Sequence, residues 1–399
     1  MRKGERPDLF LLLALAVVLA VGLLTVYSAS RALESGSIFT RQLIWVGLGL
    51  VAMWAGYSLS GRMVDEMSTF AWAAVCLLLV LVIPLGSGPA GRWIVLGPLR
   101  IQPSELAKAV LILIVAKRLV EMRRRRTRSR ELGVLMFALP LVALTWAQPD
   151  LGTAAFMCLL TLAMFIWAGF GPEWLFLLLS PLLAALSSMH VLLWAGFTLL
   201  LAVVLVRRKL GFGRWLLFLG GNTAIAAATP MIWNLLKPYQ QQRLITFINP
   251  AADPQGAGWN IIQSQVAIGS GGVTGQGFLH GAQKGLAFLP ARHTDFVFSV
   301  WAEETGLLGC LLLLAAYWVL IWRLVVTARR SVNPFSSLMV AGIAAFFTLH
   351  LFVNVGMALG LMPVTGLPLP LVSYGGSSMV TSLFLLGLAL RAGVSWRVL

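Results

Sequence analysis

The sequence predicts an all-α integral membrane protein, a polytopic bundle of 10–12 transmembrane helices with one large extracytoplasmic loop before the tenth apolar segment. Three observations predict it. Of 399 residues, 59% are hydrophobic and 11% charged, with a mean hydropathy of +0.88; soluble domains carry roughly 25% charged residues. Twelve apolar segments approach the ~17–25 residues of a membrane-crossing helix. The basic residues gather between these segments, as in KRLVEMRRRRTRSR (117–130) and RRKLGFGR (207–214), which is the bias of cytoplasmic loops. That clustering, and not nucleic acid as a partner, accounts for the net charge of +16.

The segments follow in order. Residues 9–29 are long for the apolar core of a signal peptide and read as an uncleaved first span, although SAS at 28–30 has the form of a weak cleavage site. Spans at 41–60 and 67–85 come next. The span at 104–120 opens on Pro103, which suits a first helical turn. Spans at 132–147 and 151–170 flank the turn AQPDLGT, where Pro149–Asp150 is a helix-cap signal. Residues 173–206 hold two short spans or one long element kinked around Ser187–His190. Spans at 215–236, 296–322, 335–361 and 371–391 complete the chain, a single membrane domain over 1–399.

With the N-terminus inside and the spans alternating, 21 of the 30 Lys and Arg fall on the inner side, eight fall outside, and Lys108 lies within a helix. Both termini are then cytoplasmic. Residues 237–294 form the large outer loop, joined on that face by 30–40, 86–103, 148–150 and 362–370. Chemistry is expected where these loops converge. Cys76, Cys158 and Cys310 lie in apolar runs without metal-ligand spacing and read as small buried hydrophobes.

So few acids allow each to be weighed. Glu105 and Lys108 share a helix face at i,i+3. Charges inside a bilayer pair and face the bundle interior. The two form either a structural pair or a cation held toward an anionic ligand. Arg92 suits a headgroup anchor or a phosphate fork. Arg292, His293, Thr294 and Asp295 precede the span holding Glu303 and Glu304; Asp295 is placed to cap that helix. Glu303 and Glu304 point about 100° apart on a helix, so one of them at most faces a partner fully. SYGGSS, from Ser373, offers hydroxyls and amides near a helix start, a nest for an anion. Asp253 stands alone in the glycine-rich outer loop, where Asp253–Pro254 also suits a plain turn.

Taken together, PSELAK, AQPDLGT, DPQGAGWNIIQSQVAIGSGG, GFLHGAQKGLAFLPARHTDF, AEETGLLG and MPVTGLPLPLVSYGGSS resemble the SEDS proteins (shape, elongation, division and sporulation) from about residue 20 to 390. AIGSGG followed by FLHGAQ and FLPARHTDF resembles their elongation branch, RodA, more than the division branch. The family pattern has ten spans, and the surplus falls at 173–206, which the resemblance implies is an extra helical hairpin that preserves the topology on both sides. The resemblance implies a peptidoglycan glycosyltransferase in the bacterial inner membrane, polymerising lipid II on the outer face for elongation and shape. It implies a class B penicillin-binding protein, a transpeptidase, as partner within the elongation machinery. Residue by residue, Asp253 matches the family's essential loop acid, and Glu105 and Lys108 match its charged pair beside a central cavity. Gln263, Ser264, Arg292, His293 and Asp295 match polar positions around them.

An inverting transfer needs one base on the acceptor hydroxyl, for which Asp253 is the candidate. The leaving diphosphate needs positive charge. Lys108, Arg92 and Arg292 are its candidates, with a divalent cation (Mg or Mn) as an optional helper and no resident metal site expected. Two rival classes fit the spans: a flippase for lipid-linked precursors, which should show gating charges on both faces, and a non-catalytic scaffold for the transpeptidase, which leaves the 105/108 pair and the 292–295 run without a purpose.

Overall fold

The computed structural model describes residues 8–31, 36–87, 91–96, 99–124, 130–209, 211–235, 241–242, 245–246, 257–281 and 293–395. Asp253 and Arg292 lie outside them. Among the described residues, helices α1 (Leu9–Arg31), α2 (Gly36–Ser58), α3 (Gly61–Leu85), α4 (Pro103–Arg124), α5 (Arg130–Ala147) and α6 (Leu151–Trp167) follow the predicted spans. Then come α7 (Pro172–Ser187), α8 (Val191–Arg207), α9 (Phe212–Trp215) and α10 (Gly221–Leu235), followed by α11 (Ala257–Gly271), α12 (Val297–Arg330), α13 (Pro334–Ala358) and α14 (Gly376–Ser395). Six helices (α1, α2, α3, α12, α13 and α14) are long and apolar enough to cross a membrane, and shorter apolar helices include α6, α7 and α8. This is an all-α polytopic membrane protein.

Residues 1–164 and 243–399 form one unit. Its centre is α13 and α14, whose most apolar windows are 67% and 78% buried, against 11% for α2. Lipid offers helices no hydrophobic reason to associate, so close van der Waals packing must hold them. Here α2 lies against α14 because each presents glycine: a Cβ on Gly56 would come 2.7 Å from the Phe384 carbonyl oxygen, and one on Gly387 would strike the Met53 backbone.

Residues 165–242 form the second unit. The 173–206 stretch is two helices, α7 and α8, joined by Ser188–His190; His190 caps α8 by accepting from the Leu192 amide at 3.3 Å. Leu177, Leu201 and Leu205 form their core, with Trp174, Phe197 and Trp215 packed on it. Between α9 and α10 the helix widens into a π turn at Leu216–Gly220, beside Asn222, which donates to the Phe218 carbonyl at 2.6 Å and to Ser180 Oγ at 3.0 Å.

Two features depart from the sequence expectation. The long stretch between α10 and α12 contains α11, formed because Ile261, Ser264 and Ala267 repeat at i,i+3 and bury one face, 0–2% exposed. The 86–103 loop holds a short antiparallel hairpin, β1 (Ile94–Leu96) on β2 (Leu99–Ile101).

The helix α12 is broken at Gly306, where φ is 64° and ψ −161°. The freed groups are taken up by the glycine-rich turn after α11. Leu307 and Leu308 amides donate to the Gly272 and Val273 carbonyls at 3.0 and 3.2 Å. In return, the Gln276 and Gly277 amides donate to the Glu303 and Glu304 carbonyls at 3.0 and 3.1 Å. Broken backbone survives at membrane depth only when protein satisfies it in this way. A side chain at 306 would strain a conformation essentially confined to glycine and would press on Val273, whose carbonyl carbon lies 2.7 Å from the added Cβ. Gly306→Ala is expected to destabilise the detergent-purified protein by about 3 kcal/mol or more, read as a lowered melting temperature.

Candidate active site

The site grows from a buried stretch without regular structure. Residues 359–375 run between α13 and α14, and Leu367, Leu369, Leu371 and Val372 within them are at most 2% exposed. Side chains from the surrounding helices satisfy their backbone. Tyr317 donates its hydroxyl to the Pro370 carbonyl. Gln42 Nε2 donates to the Ser373 carbonyl at 3.3 Å, and Asn354 Nδ2 donates to both the Leu367 and Asp295 carbonyls at 2.9 Å. Ser373 Oγ accepts from the Leu369 amide at 2.9 Å and donates to the Thr294 carbonyl at 2.5 Å. The Tyr374 amide donates to the His293 carbonyl at 2.8 Å. The loop thus fixes the 293–296 segment against the start of α14.

Behind it lies the predicted charged pair. Lys108 Nζ is fully buried, 2.8 Å from Glu105 Oε1 and 3.1 Å from His350 Nε2. Phe156 and Phe346 rings flank it at 5.3 and 5.6 Å. His350 Nδ1 sits 3.1 Å from the Pro368 carbonyl. A carbonyl only accepts, which assigns the proton to Nδ1 and the lone pair of Nε2 to the lysine ammonium. The pair therefore faces inward, and its third member, His350, went unread in the sequence. The second oxygen of Glu105, Oε2, is buried with no hydrogen-bond partner among the described residues.

Other predicted residues are distributed around this core. Ser264 Oγ is buried, donating to the Ala358 carbonyl and accepting from Ser299 Oγ, each at 2.6 Å; it ties α11 to α13 and α12. Gln263 is half-buried on α11. Asp295 does not cap α12, which has no side-chain cap; its carbonyl instead takes Asn354. Glu303 and Glu304 are both buried, each against a different segment: Ser28 of α1 donates to Glu304, while Gly281, beyond the turn that fills the Gly306 break, lies against Glu303. Arg92 bridges two loops, donating through Nε to the Gln148 carbonyl at 3.1 Å, through Nη2 to the Pro149 carbonyl, and pairing with Asp150 at 3.4 Å. Asp150 also caps α6, accepting from the Thr153 amide at 3.3 Å.

In front of the buried loop lies a cavity of about 700 Å³. Arg41, Arg100 and His293 bring it positive charge and donors, and Trp45, Trp93 and Tyr374 bring it aromatic walls. Gly375 and Gly376 bring the N-terminus of α14 to its edge, where helix amides and dipole favour an anion. Arg41 and Arg100 are exposed and have no carboxylate partner among the described residues. The sequence signal for them was weak: they were two of the eight basic residues left on the outer side, against the positive-inside bias. The cavity suits an anion with an apolar or sugar-bearing body. Its donors do not suit a resident cation. Arginines line it, and Glu105 is committed to Lys108.

Peptidoglycan glycosyltransferase MrdB of Escherichia coli (strain K12) is 36% identical over 377 residues, spanning 94% of this chain and 90% of that protein. Peptidoglycan glycosyltransferase RodA of Treponema pallidum is 33% identical over 417 residues, spanning 96% of each. Among solved structures, one described as "Structural coordination of polymerization and crosslinking by a peptidoglycan synthase complex" has a TM-score of 0.72 at 32% identity, with 98% of each chain covered. The rod shape determining protein RodA of Thermus thermophilus has a TM-score of 0.63 at 29% identity, covering 97% of this chain and 96% of that one. A family model for FtsW, RodA and SpoVE, described as "Cell cycle protein", matches residues 8–397, and on that near-complete match the chain belongs to the FtsW/RodA/SpoVE family, the SEDS proteins.

Proposed function

We propose that this chain is a peptidoglycan glycosyltransferase of cell elongation that polymerises lipid II in the cavity at the start of α14. The observation that carries the reading is the cavity itself, with two arginines, a histidine and a helix N-terminus set among aromatic walls. A lipid-linked sugar diphosphate presents the complementary features: two phosphates, sugar faces that stack on aromatic rings, and a long apolar tail that stays in the bilayer.

In the reaction, the 4-hydroxyl of the acceptor's GlcNAc attacks the anomeric carbon of the MurNAc at the growing end. The new O–C1 bond forms as the C1–O bond to the diphosphate breaks, and the α-linkage becomes β. Asp253 takes the hydroxyl proton, which one carboxylate suffices to do. Undecaprenyl diphosphate leaves carrying the bonding pair, and Arg41, Arg100 and the amides at Gly376 stabilise the charge that develops on it. His293 stands at the same wall as a further hydrogen-bonding group. Lys108, Glu105 and Arg92 act from behind, the first two by fixing α4 against α13 and the last by joining the Trp93 hairpin to the α5–α6 turn. A divalent cation arriving with the diphosphate would be the substrate's own.

The partner in this reading is a class B penicillin-binding protein, whose crosslinking follows polymerisation. The site faces outward and both termini lie in the cytoplasm, in line with the 21 inner basic residues. The test is a gel assay of glycan made from labelled lipid II by the purified complex with its transpeptidase. Wild type should make long glycan, and Arg100→Ala and Arg41→Ala should each lower the rate about 10²-fold at unchanged complex recovery. Unchanged rates in both variants would remove the cavity from the reaction.

A further inference from the structure

A second cavity, of about 330 Å³, lies at the opposite ends of the same helices. It is enclosed by the α2–α3 turn, the α12–α13 turn and the last turns of α14. Two helices begin at it: α3 after Ser60, which accepts from the Met63 amide at 3.3 Å, and α13 after Asn333, which accepts from the Phe335 amide at 2.9 Å. Their positive ends favour an anion in the space between them.

Side chains point the same way independently. Ser336, 96% buried, lines the cavity and makes no hydrogen bond among the described residues. Arg391 lines it, half-buried, with no ion pair among the described residues. Arg62 stands at its mouth and, among the described residues, pairs with the exposed Glu66 alone, at 2.8 Å. Among the described residues no carboxylate lines the cavity, and its floor, Met339 and Leu388, is apolar. The site therefore offers a charged fork and a free hydroxyl to an anion that is polar at one end only.

We propose that this cavity binds the phosphate of an anionic membrane phospholipid. The volume equals roughly ten waters at ~30 Å³ each, room for a phosphate and its glycerol. Membrane lipid reaches the mouth directly. On α3, Met63, Met67, Phe70 and Leu77 are 47–73% exposed, and their spacing of i, i+4, i+7 and i+14 makes one stripe running from Arg62 toward the bilayer centre, a track for an acyl chain. The reading is independent of the chemistry at the outer cavity. It predicts that the protein senses lipid composition at the face opposite its substrate.

The experiment uses the full chain purified in detergent, titrated with phosphatidylglycerol, phosphatidylcholine or inorganic phosphate, with bound ligand counted by native mass spectrometry. Wild type should hold one phosphatidylglycerol more tightly than phosphatidylcholine, and salt should weaken it. Arg391→Gln and Ser336→Ala should each weaken it, the first about tenfold, with melting temperatures unchanged in lipid-free detergent. Arg62→Gln, at a fully exposed position, serves as a second variant should Arg391→Gln fail to fold. Equal binding of the two lipids, or no effect of any variant on phosphatidylglycerol, would overturn the site. Displacement of phosphatidylglycerol by millimolar inorganic phosphate would keep the phosphate chemistry but overturn the lipid as its source.

Discussion

Asp253→Asn is expected to cut glycan polymerisation by about 10²–10⁴-fold, the usual worth of a positioned general base, while the complex with the transpeptidase is recovered in full. The substitution keeps the shape of the side chain and removes its capacity to accept a proton. The argument begins with scarcity. Between Glu173 and Asp295 no other acid occurs in the sequence, so Asp253 is the one acid that stretch of chain can supply. It continues with anchorage, because the chain re-enters fixed structure soon after Asp253. Within α11, Ile261 packs with Phe296, Val300 and Met357, and Ser264 is hydrogen-bonded to α13. The turn after α11 is then locked into the Gly306 break. A loop held this firmly at one end is suited to present a single group to a substrate, since catalysis by a base depends on position before acidity. The check is the labelled lipid II assay on purified complexes of equal recovery. Retained activity in Asp253→Asn would leave the proton transfer to another group and end the base assignment.

The spans were legible in the sequence because hydropathy and charge asymmetry are one-dimensional signals. Even the uncertain 173–206 segment carried its own punctuation, with Ser188–His190 ending one helix and His190 capping the next. What escaped the sequence was pairing across distance. Lys108 was expected to hold Glu105, three residues away, but its second partner, His350, is 242 residues further on. A lone histidine in an apolar helix announces nothing until a donor meets it. Gly306 escaped for a related reason. One glycine in an apolar run is ordinarily tolerated within a helix, and only the turn at 272–277, supplying the missing hydrogen bonds, makes a break there affordable. Ser264 and Ser373 drew attention as hydroxyls near a site, and both hydroxyls are committed to main-chain carbonyls. Buried irregular backbone needs such donors, and sequence does not show where backbone will be irregular. Arg41 and Arg100 are 59 positions apart in the chain and meet only because α2 and the β2 strand both abut α14.

Lys108→Met should be the most damaging single change to the folded protein. It leaves Glu105 and His350 facing each other and two phenyl rings in a space sealed from water, with Oε2 of Glu105 already lacking a partner among the described residues. Removing one member of a buried pair costs about 3–5 kcal/mol, because the remaining charge is left uncompensated. The expected result is a sharp fall in detergent-stable protein and in melting temperature. Adding Glu105→Gln to Lys108→Met removes the stranded charge and should recover most of the folded yield, since buried ion pairs are often replaceable by neutral groups of similar volume. The double variant then separates two roles that folding alone confounds. Restored folding with restored polymerisation would make the pair a clamp between α4 and α13 and nothing more. Restored folding without polymerisation would mean that the buried charge also shapes the potential at the outer cavity. The inward geometry of Lys108, held by a carboxylate, an imidazole and two rings, predicts the first result.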